Sequence, residues 1–111
     1  MVTSYFSKAG TLPTAVSIAR SEPPEYKGRR YIELAPPWDL IKQYKDGTIN
    51  EEQYKNFYEN LVLNELDPEK VYRELREDAV LLCWEGKGKF CHRRIVADWF
   101  KKKLNIEVPE L

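Results

Sequence analysis

Between Ala79 and Trp84 the chain places six apolar residues in succession, Ala-Val-Leu-Leu-Cys-Trp. The run is too short for a typical helix, so it predicts a central strand buried on both faces. A strand of that kind belongs in a sheet covered by helices. From His92 onward, Ile95, Val96, Trp99, Phe100 and Leu104 recur at three- and four-residue spacing, the pattern of an amphipathic helix, and Lys101, Lys102 and Lys103 suit the negative end of its dipole. Strand, glycine-containing loop and helix therefore follow in order from residue 79 to residue 104. In open α/β sheets, the carboxyl ends of strands and the amino ends of helices border the usual ligand crevice.

The remaining segments fit the same class. Val2–Phe6 and Ala15–Ala19 read as strands, with a loop through Lys8–Pro13 between them, and Tyr31–Leu34 reads as a third strand or extended edge. The Pro-Pro pairs at 23–24 and 36–37 interrupt regular structure. Pro37 is placed to open a short helix carrying Trp38, Ile41 and Tyr44 at three-residue spacing. Asn50, with Glu51, Glu52 and Gln53 behind it, predicts a capped helix with Tyr54, Phe57, Tyr58, Leu61 and Val62 on one face. Asp67-Pro68 opens another, with Val71, Tyr72 and Leu75 turned inward. At 111 residues and 42% hydrophobic content the chain can close one core. The expectation is one α/β domain over residues 1–111: a small Rossmann-like sheet of three to five mostly parallel strands flanked by helices.

No stretch approaches the roughly 20 apolar residues that cross a bilayer, and residues 1–8 lack the regions of a signal peptide, so a cytoplasmic protein without a membrane partner is expected. Formal net charge is zero, which offers nucleic acid no broad attraction. The charges are nevertheless segregated. Residues 46–78 hold ten acidic and four basic side chains, whereas residues 87–103 hold seven basic ones against Asp98 alone. Charge counting makes the second segment the face for an anion.

Chemistry concentrates in the same segment. Cys83 ends the predicted strand, Glu85 follows it, and Cys91 and His92 stand at the start of the last helix beside Lys87, Lys89, Arg93 and Arg94. Free N–H groups at a helix start hold anions, and the same surroundings favour thiolate over thiol, so Cys91 is the candidate nucleophile. His92 is the only histidine and hence the only imidazole partner, although adjacent helical residues diverge by about 100°. Cys83 reads mainly as core. Cys83, Cys91, His92 and Glu85 have the stoichiometry of a zinc site, but the spacing is no Cys-x-x-Cys knuckle, and neither metal nor other cofactor is assigned. A redox pair between the two cysteines stays open, since strand end and helix start can approach within disulfide range, although no Cys-x-x-Cys is present. Ser4, Lys8 and Arg20 lie at or after the first two strands, where they can enter the crevice, Arg20 with a planar fork for carboxylate or phosphate.

Thr3-Ser-Tyr-Phe6, Ile18-Ala-Arg20, Leu34-Ala-Pro-Pro-Trp38 and, above all, Leu82-Cys-Trp-Glu85 with Cys91-His-Arg93 resemble the YeaO-like family of small bacterial and phage proteins, the domain-of-unknown-function family numbered four-eight-eight. The similarity spans nearly the whole chain. Trp84 stands where that family usually has a tyrosine-like residue. The resemblance implies a compact α/β fold with Cys83, Glu85, Cys91, His92 and Arg93 as the shared site and Ser4, Arg20 and Pro36 as companions; it implies no activity. The leading expectation is an anionic ligand, such as phosphate, a nucleotide or a nucleic-acid end, over the start of the last helix, held by Arg20 and Arg93. A cysteine-dependent enzyme using Cys91 with His92 or Glu85 is the first alternative. A non-catalytic protein that meets a partner protein through Tyr26, Arg29, Arg30 and the proline-rich loops is the second.

Overall fold

A computed structural model describes the whole chain, Met1–Leu111. Four strands, β1 (Val2–Tyr5), β2 (Ala15–Ser17), β3 (Arg29–Arg30) and β4 (Val80–Cys83), form one all-parallel sheet in the order β1-β4-β2-β3. Five helices flank it: α1 (Phe6–Ala9), α2 (Trp38–Lys45), α3 (Glu51–Leu61), α4 (Pro68–Leu75) and α5 (His92–Leu104). The fold is thus the expected α/β class. None of the helices is long and apolar enough to cross a membrane.

The apolar run lies where its composition requires. Leu81 is flanked by Thr3 of β1 and Val16 of β2, and all four residues of β4 are buried. Side chains alternate across a strand, and the core divides accordingly. Val16, Ile18 and Leu81 pack with Tyr54 and Tyr58 of α3, Val71 and Leu75 of α4, and Ile95, Val96, Trp99 and Phe100 of α5. Ala15, Val80 and Leu82 pack on the opposite side with Phe6 and Ala9 of α1. A strand with only one apolar face could not serve both layers.

Local chemistry sets the helix starts. Asn50 Oδ1 accepts the Gln53 amide at 2.8 Å while Gln53 Oε1 accepts the Asn50 amide at 2.9 Å, a complete capping box for α3. Asp67 accepts the Glu69 amide at 3.0 Å, and Pro68 fills the first position of α4, where its missing N–H costs nothing. Asn105 ends α5 in the left-handed region, at φ 56°.

Four segments depart from the sequence reading. The third strand is Arg29–Arg30, and Ile32–Leu34 forms a 3-10 turn. Tyr31 and Leu34 are both core residues, three apart, so a helical turn directs both to one side whereas a strand would separate them. The Tyr58 hydroxyl secures the turn by donating to the Leu34 carbonyl at 2.6 Å. The loop after β1 begins with a helical turn, because Phe6 and Ala9 both cover the second sheet face. Pro37 caps α2 from outside it, and the helix buries Leu40 against the core while Trp38 remains 60% exposed. On α3, Phe57 and Leu61 face outward, leaving Tyr54 and Tyr58 as the inward pair.

These differences in burial set the expected scale of mutational damage. Leu81→Ala, at a fully buried position between two strands, is expected to cost about 2–5 kcal/mol. Asn50→Ala, which removes only the cap of α3, is expected to cost about 1 kcal/mol. Urea unfolding of the two variants checks the ranking; equal losses would contradict the placement of β4 at the centre.

Candidate functional site

At the carboxyl edge of the sheet, where β2 and β4 end and α5 begins, a cleft of about 900 Å³ opens. Cys83, Glu85, Cys91, His92, Arg20 and Pro36 all line it. The fold thereby gathers six of the nine residues singled out in the sequence. The central position of β4 explains the location, since its end is flanked by that of β2 and faced by the start of α5.

The cysteines meet here. The sulfurs of Cys83 and Cys91 are in direct contact, paired as a disulfide, although their Cα atoms stand 7.1 Å apart. Both side chains are buried, as core packing would have it, and both border the cleft. Cys91 precedes the helix as its N-cap with extended backbone, φ −155° and ψ 148°. That conformation removes the angular divergence expected of helical neighbours and brings Cys91 Sγ to 3.7 Å from His92 Nδ1. His92 Nε2 lies 2.7 Å from the Ile18 carbonyl oxygen. A carbonyl only accepts, so Nε2 carries the proton and Nδ1 presents its lone pair to Cys91. Burial is the main influence on the imidazole and disfavours its charge; the Ile18 carbonyl opposes this, Arg93 reinforces it, and the pKa falls to about 4. The ring is neutral at physiological pH.

Arg93 lies behind the cleft rather than within it, with its side chain only 1% exposed. Its guanidinium donates from Nη2 to Glu110 at 2.8 Å and from Nε to the same carboxylate at 3.1 Å. It also donates from Nη1 to the Glu85 carbonyl at 2.6 Å and to Cys83 Sγ at 3.1 Å, and from Nη2 to the Gly86 carbonyl at 3.2 Å. Every bond is internal, so the Arg93 charge is not presented to a ligand. Arg94 likewise turns inward, to Thr3 Oγ1 and the Val108 carbonyl. Of the cations counted in residues 87–103, Lys101, Lys102 and Lys103 are exposed at the far end of α5, and near its start only the exposed loop lysines, Lys87 and Lys89, remain.

Arg20 donates to the carbonyls of Pro36 at 3.0 Å and Ala35 at 3.2 Å, and no acid pairs with it. This fixes the guanidinium at the cleft wall through Nε and Nη2 and leaves Nη1 without a partner. Ser4 is fully buried with its hydroxyl unpartnered, and Lys8 donates to the Leu111 carbonyl; neither lines the cleft. Tyr26, Arg29 and Arg30 are engaged internally, with the Arg29 carbonyl, the carbonyls of Leu75 and Glu74, and Glu22 respectively.

Sequence reasoning missed two features. Trp38, Tyr44, Trp84 and Phe90 give the cleft an aromatic wall, and the three-residue stripe Trp38-Ile41-Tyr44 is its visible trace in the sequence, a helical spacing that does not say what the stripe borders. The other is Glu110, fixed against β1 by its bridge to Thr3 and by the Thr3 hydroxyl, which donates to its carboxylate. Nothing local marks a lone acid near residue 110 as the partner of Arg93.

A family model described as the active DUF488-N3 subclade matches residues 10–104 of the chain. No curated protein and no solved structure matches it.

The Arg93–Glu110 pair has two testable consequences. Arg93→Ala leaves buried carbonyls and Glu110 without a partner and is expected to cost about 3–5 kcal/mol in chemical denaturation. For Glu110, burial works against the charged form, but the hydrogen bonds from Arg93 and Thr3 outweigh it and hold the carboxyl below its ordinary pKa. A depressed carboxylate pKa stabilises the fold fully above the unfolded value of about 4.3, and that contribution is lost as pH falls through the folded value. Wild-type stability is therefore expected to fall more steeply than that of Glu110→Gln below about pH 5; coincident pH slopes would show that the pair does not supply the term.

Proposed function

The chain belongs to the DUF488 family, matched within its active DUF488-N3 subclade, and from that premise we propose that it binds an anionic, ring-bearing ligand of the nucleotide class in the cleft over the start of α5. The supporting observation is the composition of the cleft wall. Trp38 is 60% and Trp84 49% exposed on a wall that also carries Arg20, Lys45 and Lys89. Exposed indole faces offer stacking area to a base, and the cations offer charge to a phosphate. Trp84 is held ready, its Nε1–H donating to the Ser21 carbonyl at 2.9 Å and its ring set edge-on against Phe6 at 5.3 Å. At the start of α5 the amides of His92 and Arg93 donate to nothing within the chain and add an anion-holding end.

Titration of mononucleotides and short single-stranded oligonucleotides at low salt, followed by calorimetry and tryptophan fluorescence, tests this reading. Saturable binding is expected, weakened by about 1–3 kcal/mol in Trp38→Ala, with a shallower salt dependence in Arg20→Ala. Absence of heat and quenching with every nucleotide would end it.

A second reading makes the protein a cysteine-dependent enzyme. It is favoured by the Cys91 Sγ–His92 Nδ1 approach, with the opposite ring nitrogen committed to Ile18. In the reduced protein the Cys91 thiol would attack an electrophilic centre of the substrate. Nδ1 would accept the thiol proton, and Glu85 at the cleft wall would exchange a proton with the substrate. Alkylation of reduced protein should then be fast at Cys91, with an apparent pKa well below the free value of about 8.5. A rate profile matching that of a free thiol would exclude Cys91 as an activated nucleophile.

A further inference from the structure

We propose that, once a thiol or phosphine reductant has opened the Cys83–Cys91 disulfide to two thiols, Cys83, Cys91 and His92 form a metal centre that holds one thiophilic divalent cation, zinc foremost, with its fourth position open to the cleft. The two sulfurs and an imidazole nitrogen all lie within 4.8 Å of one another, although they come from the end of a strand and the start of a helix. A tetrahedral zinc with Zn–S of about 2.3 Å and Zn–N of about 2.0 Å places its ligand atoms roughly 3.5–3.8 Å apart. With the disulfide opened, rotation of the two cysteine side chains between staggered rotamers brings the sulfurs toward that spacing while His92 keeps its bond to Ile18. The Cα separation of 7.1 Å agrees with this, lying just beyond the usual 4.4–6.8 Å span of a disulfide, so that the two sulfurs, once released from each other, can part around an ion.

The surroundings supply what a metal site needs beyond its ligands. A ligating histidine generally gives its other N–H to a carbonyl or carboxylate, which fixes the tautomer and aims the lone pair. The Ile18 carbonyl does this for His92 at 2.7 Å, leaving Nδ1 on the side of the sulfurs. Arg93 Nη1 donates to Cys83 Sγ at 3.1 Å, a charged N–H placed to support a thiolate. Charge also balances. Each thiol releases its proton to solvent as the dication binds, so two protons leave, two positive charges arrive, and the buried site gains no net charge.

Thiolate donors select zinc over magnesium or calcium, and three protein ligands with one open position are the pattern of catalytic rather than structural zinc. The open position faces the cleft that Glu85 also lines, so water, that carboxylate or the anionic group of a bound ligand can complete the shell. The lack of a Cys-x-x-Cys knuckle is no obstacle here, because the parallel sheet, rather than a local turn, brings Cys83 beside Cys91. The inference rests on donor geometry and stands apart from the nucleotide reading. It makes Cys91 a ligand rather than a nucleophile.

The test uses the full chain, reduced with a non-chelating phosphine and titrated with cobalt(II), then with zinc(II) in competition. One equivalent of cobalt is expected to give visible d–d bands of tetrahedral intensity and a near-ultraviolet thiolate-to-cobalt charge-transfer band, both erased by one equivalent of zinc. Cys83→Ser, Cys91→Ser and His92→Ala, each checked for folding by circular dichroism, should weaken binding by more than about 100-fold. A folded wild type without the charge-transfer band overturns the proposal, and so does a folded Cys83→Ser or Cys91→Ser variant with unchanged affinity. These readouts contain no nucleotide, so their failure leaves the cleft-binding reading to its own titration.

Discussion

A buried guanidinium organises this protein. Taking Arg93 out of water is costly, and the structure meets that cost with a bidentate carboxylate, two backbone carbonyls and a sulfur. The acceptors come from three parts of the chain: Glu110 lies after α5, Glu85 and Gly86 begin the glycine loop, and Cys83 ends β4. One planar fork therefore fixes the strand end, the loop and the tail at once. The aromatic face of Tyr5 on β1 approaches the same cation at 5.8 Å. A lysine could not make this set of contacts, because its ammonium lacks the flat, divergent donors.

The cleft depends on that arrangement. With Glu85 and Gly86 held by Arg93 through their carbonyls, the loop leaves Cys83 and returns to Cys91 in a defined path, and the Glu85 side chain is left to the cleft wall. His92 is fixed independently by Ile18, the residue that follows β2, and packed edge-on against Tyr58 at 5.5 Å. The reactive groups thus rest on two strands and a helix rather than on loop conformation alone. Rigid support of this kind holds donor atoms close to a productive geometry.

The sequence disclosed the fold through periodicity and the site through clustering. The uninterrupted apolar run of β4, the spacing in α5, the Asn50–Gln53 box and Asp67-Pro68 each encode a short-range rule, and each is realised. Tyr31–Leu34 misled because apolar residues three apart satisfy both an edge strand and a helical turn, and the choice came from a distant partner, Tyr58. Trp38 gave no sign of the cleft for a related reason: helical spacing identifies a face but not what that face meets. Arg93 was recognised as belonging to the site, yet its partner lies 17 residues away and its charge is spent internally. Charge counting sees composition, whereas burial decides which charges remain available.

The parallel sheet also imposes an order on biosynthesis. β1 is made first, but its strand neighbour is β4, and Val2 pairs with Val80. During translation β1 stays unpaired until the 74 residues between it and β4, positions 6–79, have been made. Arg93 then follows without its carboxylate until Glu110 emerges, seconds later at ordinary elongation rates. A nascent chain halted between those residues would carry every chemically interesting side chain of the cleft and still lack the counter-ion that lets Arg93 be buried. Completion of the site is consequently tied to the arrival of Glu110, so a product ended before that residue would be marked by an unneutralised interior cation.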